Sequence, residues 1–248
     1  MPVGFDLFYA SHQVEGQRGS TRMNSASNLD LHSRGELSQL QERLLTMGGE
    51  AEEQVRASIR ALVGRDSGLA EKVLVSDDSI NDFHVEIDGR CFKLLGQTGF
   101  DSDDLRLIVS GLKINSDLER IGDIAINIAE ATLRYLERPA VKPLIDIPRM
   151  AELAQGMLKD SLNAYVRRDV SLAWEVVKRD KEVDSLKDQV FRELLSYMLE
   201  KPATTEGALG LILISRHIER IGDLATNIAE DVIFIVSGQD VRHHGQEE

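Results

Sequence analysis

The sequence predicts an all-α protein built as two tandem three-helix bundles. Three observations carry that prediction. Apolar residues recur at helical spacing, beginning with Leu37, Leu40, Leu44, Met47, Ala51, Val55, Ile59 and Leu62. Only 5% of the residues are aromatic and only five are prolines, which leaves a core of Leu, Ile, Val and Ala and room for long helices. The segment Glu119-Arg-Ile-Gly-Asp-Ile-Ala-Ile-Asn-Ile-Ala-Glu130 recurs one hundred positions later as Glu219-Arg-Ile-Gly-Asp-Leu-Ala-Thr-Asn-Ile-Ala-Glu230, with two of twelve positions changed. A repeat this close means two copies of one unit.

The elements follow in chain order. Residues 1–28 are aperiodic and rich in Gly, Ser, Asn and Gln, and are expected to be a disordered extension. A first helix is expected from about Leu29 to Gly64. Its Gly48-Gly49 pair costs about 1 kcal/mol per glycine against alanine and so marks a close helix–helix contact. Gly64-Arg-Asp-Ser-Gly68 makes a turn, and a second helix is expected over 67–97. Asp101 or Ser102 caps a third helix that runs to about Arg138. Pro139, Pro143 and Pro148 punctuate a linker over 139–148. Helices over 149–167, 169–199 and 205–237 complete the second unit, ahead of a frayed C-terminus over 241–248. The bundles are thus placed at 29–138 and 149–240. The halves also align outside the signature. Arg65-Asp66 matches Arg168-Asp169 and residues 73–81 match 176–184, at an offset of 103. Short turns make successive helices antiparallel neighbours.

Composition excludes several functions. The formal net charge of −13 argues against a nucleic-acid surface, which needs a basic face, and permits cations and basic partners. The single cysteine, Cys91, rules out an intramolecular disulfide and a multi-thiolate metal site, and its apolar surroundings make it a buried core residue. The most apolar run, Ala208–Ser215, is far shorter than the ~20 residues of a spanning helix, so a soluble, cytoplasmic protein is expected. No nucleophile elbow, P-loop or dinucleotide-binding glycine pattern is present. Trp174 falls in an apolar pattern and is expected in the core.

The repeated unit keeps oxygen-bearing side chains at helical spacing. Each signature presents a stripe: Glu119, Asp123 and Asn127 in the first half, Glu219, Asp223 and Asn227 in the second. The preceding helix supplies Asp77 and Asn81 in the first half, Asp180 and Asp184 in the second. Antiparallel packing brings the two patches of each half together as a hard-oxygen site for a divalent or trivalent ion such as Fe, Mn, Zn or Mg. A single Glu-x-x-x-Asp is an ordinary solvated face, and like charges at i, i+4 are unfavourable by a few tenths of a kcal/mol. Their duplication points to a neutralising cation. Arg120 and Arg220 lie off this stripe and are expected to bind a neighbouring helix. His217 takes the place of Asp117, and His84 lies four residues before Asp88; both are expected to be ordinary polar positions. A metal-dependent enzyme is the alternative, since helix-borne carboxylates also build hydrolase and di-iron sites. The Glu-x-x-His of di-iron oxidases is absent, because Gly122 and Gly222 stand at that position.

At its duplicated Glu-Arg-Ile-Gly-Asp signature the chain resembles the PhoU family. Leu45-Thr-Met-Gly-Gly49, Ser102-Asp-Asp-Leu-Arg106 and Ser237-Gly-Gln-Asp-Val-Arg-His243 agree with it, so the resemblance spans about residues 33–245. It implies two three-helix bundles related by pseudo-twofold symmetry, with metal clusters held by the Glu/Asp-x-x-x-Asp motifs. Those are Glu119 with Asp123, Glu219 with Asp223, and Asp180 with Asp184; Asn81 after Asp77 departs from the pattern and weakens the first-half site. It further implies a non-enzymatic, homodimeric regulator that represses the phosphate-starvation response. Such a regulator couples the ATPase of the phosphate ABC transporter to a membrane sensor histidine kinase.

Overall fold

Each half of the chain winds three helical layers around one side of a shared core. The computed structural model describes residues 18–75, 78–239 and 241, with 18–33 described by backbone alone. Among the described residues there are seven α-helices and no strand. The first bundle comprises α1 (Arg18–Gly64), α2 (Ser67–Leu74), α3 (Asp78–Leu95) and α4 (Ser102–Leu136). The second comprises α5 (Asp146–Arg167), α6 (Val170–Glu200) and α7 (Thr205–Ser237), with a 3-10 turn at Pro202–Thr204. Helix α4 packs on α1, α2 and α3, and α7 packs on α5 and α6. The halves meet where α4 lies against α7 and α1 against α5.

The two turns that enter the middle layer are built alike. Arg65 and Arg168 both adopt left-handed backbone, at φ 51° and 52°. Asp66 then caps α2 by accepting from Leu69 N at 2.9 Å, and Asp169 caps α6 by accepting from Leu172 N at 3.1 Å. The Arg65 side chain donates to the carbonyls of Leu136 and Arg138, satisfying groups left open at the end of α4. Asp101, rather than Ser102, caps α4, accepting from the Asp103 and Asp104 amides at 2.9 Å.

Three boundaries differ from the sequence expectation. Helix α1 covers Arg18–Gly64, so residues 18–28 are helical rather than disordered; tertiary context here overrides their weak helix propensity. Residues 1–17 lie outside the described residues. The expected single helix over 67–97 is two helices, α2 and α3, parted after Val75, where Ser76 and Asp77 lie outside the described residues. Helix α5 starts at Asp146, so Pro148 sits in its first turn, where the missing amide costs no helical bond. Of the C-terminal residues 241–248 only Val241 is described.

One hydrophobic core runs through both bundles, from Leu40, Leu44 and Met47 on α1 through Ile114 and Ile121 on α4 to Ile214 and Ile221 on α7. Trp174 packs against it partly buried, and Cys91 lies within it. Burial first, and then Asp88, push the Cys91 thiol up to about 12. Gly48 is the close contact that its sequence position implied. A Cβ there would lie 2.3 Å from Leu162 Cδ1 of the second half, whereas Gly49 faces open space. Between the halves, Lys142 is 5% exposed and pairs with Glu193 of α6 and with Asp146, which pins the linker onto the second bundle. No described helix is long and apolar enough to cross a membrane.

Candidate carboxylate site

Helices α6 and α7 run antiparallel, and their register is fixed by two pairs of positions. Lys187 of α6 meets Glu219 of α7, and seven residues earlier Asp180 meets Thr226, seven residues later. This register gathers Asp180, Asp184, Glu219 and Asp223 on one open face. Gly222 lies beside them: a Cβ there would stand in ordinary contact, 3.6 Å from Asp180 Oδ1 and 3.5 Å from Val183.

The carboxylates feel one another. Burial first, then Asp184 and Glu219, hold the Asp180 carboxyl above its usual range. Burial first, then Glu219, Asp180 and Asp184, push Asp223 up to about 6. Two further residues belong to the cluster. The Lys187 ammonium donates to Asp184 Oδ1 at 2.8 Å and to Glu219 Oε1 at 3.0 Å, and these bonds raise its pKa. Thr226 Oγ1 is buried beside Asp180 and favours its charged form, although the pair falls short of normal hydrogen-bond geometry. Both were legible. Lys187 lies seven residues after Asp180, and Thr226 seven after Glu219, two near-complete turns at 100° per residue.

Asn227 lies elsewhere. Eight residues from Glu219 it has rotated past the stripe, and it lines a groove of about 440 Å³ between α4 and α7 with Lys113, Ser116, Asp117 and Asp231. In that groove Lys113 Nζ pairs with the buried Asp231 at 3.0 Å.

The first half is arranged differently. Asp77 lies outside the described residues. Asn81 is exposed on the first turn of α3; on α4, Glu119 is half-buried and Asp123 exposed. Asn127 donates its amide to the Asp123 carbonyl of its own helix at 2.8 Å. Over Gly122 lies Ile80, whose Cδ1 would stand 2.9 Å from a Cβ. Ile126, at the place of Thr226, packs on an apolar cluster of Ala61, Ala70, Val73 and Ala129. His84 approaches Asp88 at 3.8 Å, and Asn115 donates to the same carboxylate. His217 is half-buried rather than solvated, and burial first, then Arg220, Arg216 and Arg134, lower its pKa. Arg120 pairs with Asp117 of its own helix at 3.6 Å, not with a neighbouring one. Among the described residues no three His, Cys, Asp or Glu side chains converge to metal-binding distance.

Residues 44–132 and 147–232 each match the model of the PhoU domain. The chain belongs to the PhoU family. Among the PhoU relatives, the phosphate-specific transport system accessory protein PhoU homolog of Pseudomonas aeruginosa is 40% identical over 211 residues, covering 85% of this chain and 87% of the relative. The phosphate-specific transport system accessory protein PhoU of Escherichia coli is 34% identical over 225 residues, covering 89% and 93%. The crystal structure of PhoU from Pseudomonas aeruginosa superposes with a TM-score of 0.80 at 39% identity, covering 83% of this chain and 99% of that one. The phosphate transport system regulatory protein PhoU from Streptococcus pneumoniae superposes at 0.78 with 27% identity, covering 84% and 99%. Tandem three-helix bundles are thus the fold of this chain as of its PhoU relatives.

Proposed function

We propose that this chain is a cytoplasmic regulatory accessory protein of phosphate transport, and not an enzyme. It represses the phosphate-starvation response when phosphate is plentiful and moderates phosphate uptake. It does so as a homodimer that couples the ATPase subunit of the phosphate ABC transporter to a membrane sensor histidine kinase. The observation that carries this reading is the match of both halves to the PhoU domain, together with relatives named as phosphate-transport accessory proteins over most of both lengths.

Within that reading the carboxylates hold a divalent or trivalent ion. The donor set fits: Asp180, Asp184, Glu219 and Asp223 are hard oxygen ligands suited to Mg, Mn or Fe, and also able to bind Zn. The four carboxylates also lie close enough that the charges of their neighbours help to raise the pKa values of Asp180 and Asp223. When bound, the ion supplies the positive charge that the four carboxylates lack. The first-half set of Asp77, Asn81, Glu119 and Asp123 offers one carboxylate fewer.

The test is complementation of a deletion strain with the wild-type chain or with Glu119→Gln/Asp123→Asn/Glu219→Gln/Asp223→Asn, read by a starvation-responsive phosphatase reporter in high phosphate. Wild type restores repression and the quadruple variant does not. Normal repression by the variant at normal protein level removes the carboxylates from the function. Failure of the wild type to repress removes the regulatory reading. Phosphoester turnover by metal-loaded protein, lost in the same variant, would instead favour an enzyme.

A further inference from the structure

We propose that Lys187 is a built-in cation of the second-half carboxylate site, so that a metal ion binds there only by displacing its ammonium. The inference rests on the metal reading above. Lys187 Nζ lies 2.8 Å from Asp184 and 3.0 Å from Glu219, in the notch between the two helices. A hard cation takes carboxylate oxygens at roughly 2.0–2.6 Å. An ammonium already bonded to both carboxylates and an ion bridging them therefore claim the same position. Their like charges would also stand within a few ångströms of each other, where repulsion is strong near a partly buried surface.

The chain makes the exchange feasible. The Lys187 side chain is 26% exposed, so its flexible four-carbon stem can swing its charge into water. Withdrawal of the lysine leaves Asp180, Asp184, Glu219 and Asp223 to close on an ion. With the lysine in place, no three of the described acidic or histidine side chains converge to metal-binding distance.

The repeat sharpens the point. At the offset of 103 that relates α3 to α6, the counterpart of Lys187 is His84. That imidazole approaches Asp88 at 3.8 Å. The two copies have thus lowered their surplus of negative charge by different routes. The first replaces a carboxylate with Asn81; the second keeps every carboxylate and supplies its own cation.

The experiment is titration of full-length, untagged, chelator-treated protein with Mn²⁺, free ion being read by electron paramagnetic resonance and heat by calorimetry. Wild type is compared with Lys187→Gln, Lys187→Met and Lys187→Arg, each checked for an unchanged helical signal. Removing the charge in the Gln and Met variants tightens one class of site at least tenfold, while the Arg variant, which keeps it, binds no tighter than wild type. Equal affinity for wild type and Lys187→Gln overturns the role of Lys187 and leaves the metal reading standing. Weaker binding by Lys187→Gln also overturns it, since the lysine would then be positioning the carboxylates. No binding by any variant at millimolar Mn²⁺ overturns the metal reading and this inference with it.

Discussion

The signature segments of α4 and α7 differ at only two of twelve positions, yet one of those two positions has neighbours of opposite character in the two halves. Over Gly122 lies Ile80, and over Gly222 lie its counterpart Val183 and the Asp180 carboxylate, whose own counterpart Asp77 lies outside the described residues. Ile126 joins an apolar cluster, while Thr226 at the same place supports Asp180. Duplication kept the backbone and let single side chains, Ile126 in one copy and Thr226 in the other, change what the helix touches. A shared motif therefore fixes a geometry rather than a chemistry.

The contrast extends to the seam between the halves, where the largest effect is expected. One end carries Lys113 and the buried Asp231; the repeat places Leu213 and Ala131 at the corresponding positions of the other. Lys113→Leu removes a charged partner of the buried Asp231 and should cost about 2 kcal/mol in urea unfolding. The double change Lys113→Leu/Asp231→Ala, which copies the apolar end, should return to within about 1 kcal/mol of wild type. If the double variant is as unstable as the single one, the two ends are not interchangeable.

Glycine substitution compares the two grooves directly. Gly122→Ala forces its methyl against Ile80 and should cost about 1 kcal/mol, even after the gain in helix propensity. Gly222→Ala meets only ordinary contacts and should be neutral or stabilising by about 0.5 kcal/mol. Equal effects in the two halves would show that the grooves are equally tight.

The charge cluster predicts a pH dependence that arises at Asp223. Asp223 has its pKa raised to about 6 in the folded chain against 3.8 in the unfolded one, so ionising it opposes folding. In metal-free protein this cost is absent below pH 3.8, grows as pH rises through 6, and is full above it. Asp223→Asn should raise the melting midpoint by about 2–4 °C at pH 8, and the difference should close toward pH 4. Asp123→Asn is the first-half control, and an equal rise there would erase the distinction. The smallest effect is expected from Thr226→Val, which should cost about 0.5 kcal/mol at neutral pH. The reverse change in the other copy, Ile126→Thr, probes the apolar side of the same comparison.

Much of the fold was legible because helical periodicity and a repeat are local signals. The Arg-Asp pairs at 65–66 and 168–169 marked both turns, and the span 205–237 matches α7 residue for residue. Asp180, Asp184, Glu219 and Asp223 were legible as a group because i, i+4 spacing survives on any helix. Asn127 and Asn227 were placed with them although eight residues overshoot two turns; Asn127 bonds the carbonyl of its own helix and Asn227 lines the groove between α4 and α7. Lys187 is less legible, because a lysine on a helix face reads as an ordinary solvated charge until the facing helix brings Glu219 to it. The burial of Lys142 depends on its pairing with Glu193 of α6, 51 residues away. Periodicity names a buried face but not its partner.

The core that passes uninterrupted from α1 through α4 to α7 has a consequence for how the duplicated chain can be taken apart. Neither half closes its own interior: Leu162 fills the notch at Gly48, and α4 and α7 cover each other. Two fragments divided at the 139–145 segment should reassemble without a covalent link, each acting as the template on which the other folds, and neither should be fully ordered alone. Ancestrally, the same arrangement is what two separate copies of the unit would have formed by pairing, with the linker converting a dimer into a single molecule.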